Sequence, residues 1–226
     1  MAANGAVTSA RPYADEMLII HKVFRREVDL LPQIIRTVPD GDTARAAYVA
    51  DAVQNYVGGL HSHHSLEDQL VWPLLHERAE TDDAVVTRME SQHKLIDGTL
   101  EVVVELLPDW RKDADPGVGL KIAEVLEEHR AVLVEHLDDE EAYVVPLIAE
   151  HLTVEEWDAV GERGLAETPK NRLLLVLGAI LEDATPAERK HFLGKVPAVG
   201  RLMWAVVGRR QYARECRKLR GSLGGR

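Results

Sequence analysis

Two stretches of the chain carry the same potential metal grip: His63 and Glu67 in one, His136 and Glu140 in the other, each pair followed six residues on by a proline, Pro73 or Pro146. Residues four apart on a helix lie about 40° apart around its axis at ~100° per residue, so each imidazole and carboxylate share a face and can hold one ion. The match runs position for position at an offset of 73, placing Val71 on Val144, Leu60 on Leu133 and Tyr56 on His129. Tyr56 precedes His63 by two turns, as His129 precedes His136. Two matching faces follow, Tyr56, His63, Glu67 and His129, His136, Glu140. His21 and His93, each followed by lysine, stand 72 apart and add one histidine per half. Each metal then has two histidines and a carboxylate, a set that suits iron with open positions for oxygen chemistry, with Glu67 and Glu140 as bridges. A lone His-x-x-x-Glu pair is ordinarily a solvated contact between helical neighbours. Its recurrence together with the proline and flanking acids argues for a site. His61, His64, His76 and His151 fall off these faces and read as surface or supporting residues.

The elements that must position these residues are helices. Apolar residues recur at helical spacing from about Asp15 to Leu31, Thr43 to Glu77, Asp82 to Leu107 and Leu120 to His151, with breakers at Pro39-Asp40-Gly41, Ala79 to Asp83, and Pro108 through Pro116-Gly117. Short connections make successive helices antiparallel neighbours, so the expected fold is all-α, an up-down antiparallel four-helix bundle. The repeat pairs the second helix with the fourth and the first with the third, as two hairpins about a pseudo-two-fold. Thr153 to Glu156 and Thr185 to Glu188 have the capping-box pattern that starts a helix. The expected organisation is a disordered N-terminal tail (1–12), the bundle (13–152) and a basic C-terminal helical extension packed on it (153–226).

Ten histidines beside two phenylalanines, in 226 residues, mark a chain that uses imidazole chemistry. The single cysteine, Cys216, excludes thiolate clusters and internal disulfides and fits a reduced, cytoplasmic setting. No apolar stretch opens the chain, and the longest apolar run, Leu173 to Leu181, is bounded by Arg172 and Glu182, so neither a signal peptide nor a membrane partner is expected. From Thr168 onward 13 basic residues face 4 acidic ones, whereas the rest has 14 against 34. This predicts electrostatic attraction between tail and bundle; without an RNA or DNA motif, nucleic acid is not an expected partner.

The order His, His-x-x-x-Glu, His, His-x-x-x-Glu over residues 15–150 resembles the hemerythrin-like, or HHE cation-binding, family. The resemblance implies a bundle around two iron ions joined by an oxo or hydroxo group, with dioxygen, hydrogen peroxide or nitric oxide as the molecules handled. The oxygen carriers of that family have His-x-x-x-His in the third helix, where this chain has His93 and Asp97, so one neutral ligand is missing. Asp97, Tyr56 and His129 are the candidates to replace it. The carrier spacing selects Glu141 as the last carboxylate, whereas the internal repeat selects Glu140. Anionic ligands favour ferric iron, so catalase-like peroxide removal is the leading expectation, and a non-enzymatic oxygen, nitric oxide or redox sensor is the alternative. A ferritin-like Glu-x-x-His arrangement would need Glu188 and His191 from the basic tail beside Glu90 and His93, and the repeat does not include them.

Overall fold

A computed structural model describes residues 11–224, which form helices and turns with no strand among them. The expected N-terminal tail lies outside the described residues except for Arg11 and Pro12. Helix α1 (Glu16–Arg36) buries Met17, His21, Phe24, Val28 and Leu31, one stripe at three- and four-residue spacing. It runs past the expected end at Leu31, through Pro32. The proline lacks one backbone donor, but burial of Ile34 and Ile35 on the next turn outweighs that loss.

Helix α2 (Thr43–Leu66) starts at Asp42, whose side chain accepts from the Arg45 amide. The helix expected to run unbroken to Glu77 is interrupted by a π-helical turn, Glu67–Val71, before α3 (Trp72–Arg78). The same happens in the second half: α5 (Pro116–Asp139), a π turn over Glu140–Val144, then α6 (Val145–His151). The repeated proline favours this register. Pro73 and Pro146 cannot donate to the carbonyl four residues back, and the preceding amides, Trp72 and Val145, reach five residues back to Glu67 and Glu140 instead. Helix α4 (Asp83–Asp113) also outruns its expected end, continuing through Pro108 because Trp110 is buried beneath it, and stops where Ala114 turns left-handed at φ 50°.

The four long helices close a ring, α1 on α5, α5 on α4, α4 on α2 and α2 on α1. Inside it lie two apolar clusters. One includes Phe24, Tyr56, Leu60, Ile96, Leu133 and Leu137; the other gathers Met17, Val71, Trp72, Met89 and Val144.

Beyond Thr153 follow α7 (Val154–Glu167), α8 (Leu173–Glu182), α9 (Pro186–Lys195), α10 (Ala198–Met203), a π turn (Trp204–Gly208) and α11 (Arg209–Arg220). Both capping boxes form, at Thr153 with Glu156 and Thr185 with Glu188. Helix α7 packs on α2, and α8 packs on α1 and α11. The ion pairs across this contact run in both directions: Arg220 meets Glu27, while Lys22 and Arg26 of α1 reach Glu188, Glu182 and Asp183. Among the described residues no helix is long and apolar enough to cross a membrane.

Candidate metal centre

Between the two apolar clusters sits a knot of polar side chains. His21, His64, Glu67, His93, His136 and Glu140 are all buried, and His63 is half-buried. Their ring nitrogens and carboxylate oxygens converge in two groups: His21, His63, Glu67 and Glu140 in one, His64, His93 and His136 in the other, with donor atoms in each within 4.8 Å of one another. The carboxylates face both groups. Glu67 has one oxygen 3.1 Å from His63 Nε2 and the other 3.6 Å from His93 Nε2, and Glu140 Oε2 lies 3.3 Å from His21 Nε2 and 3.6 Å from His136 Nε2. Glu67 and Glu140 each open a π turn, so the residue that carries each carboxylate is the one at which the repeated proline shifts the helix register.

Three histidines are oriented from outside. His21 Nδ1 donates to Glu141 at 2.9 Å, His93 Nδ1 to Asp68 at 2.9 Å and His136 Nδ1 to the Gln92 side-chain oxygen at 3.2 Å. With Nδ1 engaged as a donor, each Nε2 turns a lone pair inward, the outer-partner arrangement typical of metal-bound imidazole. The inward atoms are the orphans: Nε2 of His21, His63, His93 and His136, both nitrogens of His64 and all four oxygens of Glu67 and Glu140 have no hydrogen-bond partner among the described residues. Unpaired buried groups of this kind cost heavily unless a cation is bound. Burial, reinforced by the neighbouring imidazoles, holds His63 down to about 3 and His64 well below its ordinary value, and burial holds His136 down to about 4. These rings are therefore neutral lone-pair donors. At His21 burial pulls the same way, but the close carboxylate of Glu140 and the bond and charge of Glu141 reverse it. Burial and the nearby Glu140 raise Glu67, whereas at Glu140 the close imidazole of His21, with His136 and His63, overcomes burial and lowers it.

Tyr56 and His129 are not brought to this knot. Seven residues, about 10 Å of helix, separate each from the histidine of its own half. They meet each other instead: Thr99 Oγ1 donates to the Ile96 carbonyl at 2.7 Å, so it accepts from His129 Nδ1 at 2.8 Å, and His129 Nε2 accepts from the Tyr56 hydroxyl at 2.7 Å. Burial keeps His129 down to about 4, and burial together with the charge of Glu27 raises Tyr56 well above its ordinary value, so the pair is a neutral imidazole and a protonated phenol. Asp97 faces outward, 3.9 Å from exposed His61. Of the two carboxylates left open by spacing, Glu140 turns inward and Glu141 stands outside, accepting from His21 and from Arg25 at 3.1 Å.

His64 is the residue that face geometry misses. It is buried, and its ring stacks on His93 with centroids 3.9 Å apart. The signal was present in the repeat, because the mate of His64 is Leu137, which is fully buried. A histidine at a core position is there for its chemistry.

Seven side chains with inward lone pairs, two of them carboxylates facing both groups, fit a pair of nitrogen- and oxygen-loving cations. The family model described as the hemerythrin HHE cation binding domain matches residues 14–156. No curated protein and no solved structure matches the chain.

Proposed function

The chain belongs to the hemerythrin HHE cation-binding family, and from that premise we propose a non-haem di-iron protein, built as an up-down antiparallel bundle, that reacts with dioxygen or hydrogen peroxide. Catalase-like removal of peroxide is the activity we assign. The observation that carries the reading is the doubled set of buried, orphaned donors sharing two carboxylates. His21 and His63 would hold one ion and His64, His93 and His136 the other, Glu67 and Glu140 would serve both, and an oxo or hydroxo group would complete the centre. The place of the missing third-helix histidine is filled from α2 by His64, leaving Asp97, Tyr56 and His129 outside the ligand set.

Iron held there supplies reversible one-electron steps to bound oxygen or peroxide. The protein's part is orientation and exclusion. Glu141, Asp68 and Gln92 fix the rings of His21, His93 and His136, while Phe24 against His63 and Trp72 against His93, with ring centroids 5.2 and 5.8 Å apart, keep water scarce around the donors. The single cysteine, Cys216, is in keeping with the cytoplasmic location we assign.

Protein produced with ample iron is expected to hold two iron ions per chain and to consume peroxide over many turnovers. His63→Ala combined with His136→Ala is expected to empty the site and lower the melting temperature, since bound metal stabilises only the folded state. One ion or none would sink the di-iron reading. Two ions without turnover would replace the enzyme with a binding or sensor protein.

A further inference from the structure

Five of the eleven exposed large aliphatic side chains among the described residues lie together on one short stretch. Val199 is 74% exposed, Leu202 63%, Met203 45%, Val206 59% and Val207 44%, following one another at helical spacing along α10 and the π turn after it. The segment cannot roll to hide them. Its other side is anchored by Trp204 and Gly208, both buried: a Cβ added at Gly208 would lie 2.5 Å from the Trp204 ring and 3.4 Å from Leu174 of α8.

Charge distinguishes the occupants this ridge suits. From Arg189 to Arg214 there is no acidic residue and there are seven basic ones. Lys195 is engaged by Glu16 and Asp158. Arg209, Arg210 and Arg217 are exposed with no carboxylate partner among the described residues, and Arg214 is also exposed. The cations that the bundle leaves unneutralised therefore continue the aliphatic ridge along the same helix. A second copy meeting this face on itself would bring two sets of Arg209 and Arg210 into one interface, a like-charge contact. Nucleic acid would meet the arginines and leave five aliphatic side chains against its phosphates and sugars. An anionic bilayer satisfies both, its acyl boundary receiving the ridge and its headgroups the guanidinium groups.

We propose that the α10–α11 ridge docks the protein on an anionic membrane surface. This revises the expectation of no membrane partner, and it is independent of the metal assignment. No span is implied. The binding is peripheral, with Val199, Leu202, Met203, Val206 and Val207 entering the boundary and Arg209, Arg210, Arg214 and Arg217 on the phosphates.

The test is flotation of the full-length chain with vesicles of phosphatidylcholine alone and with an equimolar mixture of phosphatidylcholine and phosphatidylglycerol. The protein is expected to float with the mixed vesicles only, and less so at high salt. Arg209→Gln with Arg210→Gln should lower partitioning roughly 25-fold, about fivefold for each basic side chain at an anionic surface. Leu202→Asp with Val206→Asp should abolish it, and helical circular dichroism and metal content should not change in either variant, since all four positions are exposed. Equal flotation with neutral vesicles, no flotation with anionic ones, or binding that survives both double variants overturns the proposal. So does a concentration-dependent dimer that Leu202→Asp dissolves in protein that does not float, which would give the ridge to a second copy.

Discussion

Replacing His64 by leucine should have effects of opposite sign on the metal-free and metal-loaded protein. Without metal, both nitrogens of His64 are buried and unpartnered, and burial holds the ring neutral. A neutral imidazole still has one N–H to satisfy, and leaving a buried donor unmade costs about 1–3 kcal/mol. Leucine removes that cost, and the packing tolerates it in principle because Leu137 occupies the equivalent position of the second half with no exposure. The metal-free variant should therefore gain about 2 kcal/mol, a rise of roughly 4–8 °C for a chain of this size. With metal, the ion on His93 and His136 loses its third imidazole. Removing an outer partner of a ligand typically weakens binding 10–100-fold, so loss of the ligand itself should cost at least about 100-fold at that ion. Thermal melts after chelation, together with iron titration followed by metal analysis, read both arms. If the variant retains two ions at unchanged affinity with an unchanged visible spectrum, His64 is not a ligand. If the metal-free variant is the less stable one, the account of its buried imidazole is wrong.

Tyr56→Phe should leave the visible spectrum of the oxidised protein unchanged and destabilise the fold by about 1–3 kcal/mol, because it orphans His129 Nε2; loss of a visible band would instead put Tyr56 on the metal. Metal-free protein should weaken as pH falls below 6.5. His129 titrates near that value when unfolded but is held to about 4 by burial when folded, so the unfolded chain takes up the proton first and about 3 kcal/mol is lost between the two values. Urea unfolding from pH 7 to pH 4 measures this, and a slope in His129→Gln as steep as in the wild type would refute it. Truncation after Glu167 removes α8 from α1 and strips Arg26 of Glu182 and Asp183, so the shortened chain should aggregate or melt lower; a monomer that is fully metal-loaded and equally stable would show that the extension is dispensable.

Much of the fold was legible because its signals are local. Thr153 and Thr185 start helices through contacts within three residues, and the stripe Met17, His21, Phe24, Val28, Leu31 is visible as spacing alone. The errors came from prolines. The apolar pattern stopped near Leu31, just before Pro32, and Pro108 read as a breaker, yet both helices continue, because Ile34, Ile35 and Trp110 are buried one turn further on and tertiary contact outweighs a single lost hydrogen bond. Which apolar residues find a partner is not written in their spacing. The extension shows the same limit for charge: net sign predicted attraction of tail to bundle, but the pairs run in both directions, and the unpaired arginines lie beside the exposed aliphatic ridge.

At the centre, the repeat was informative in a way that helical geometry was not. Angles computed for an ideal helix put His63 and Glu67 on one face and exclude His64, a sound deduction for 3.6 residues per turn. The assumption behind it is that one face carries every donor, whereas His63 and His64, both within the regular helix α2, reach different donor groups. Comparing the halves avoids the assumption. Leu60 with Leu133 and Val71 with Val144 are core in both, and His64 stands where the other half keeps Leu137, so its burial follows from the alignment without any angle. The same comparison separates Tyr56 and His129 from the ligands. They are mates two turns before the histidines, and across the axis the Tyr56 hydroxyl donates to His129 Nε2 while Nδ1 of the same ring is held by Thr99, so the imidazole has no lone pair left for an ion and the phenol is held about 10 Å of helix from the other donors. In a duplicated site, the positions where the halves differ therefore carry its asymmetry: the histidine at Leu137's counterpart gives one donor group three imidazoles, where the other has two beside the carboxylates.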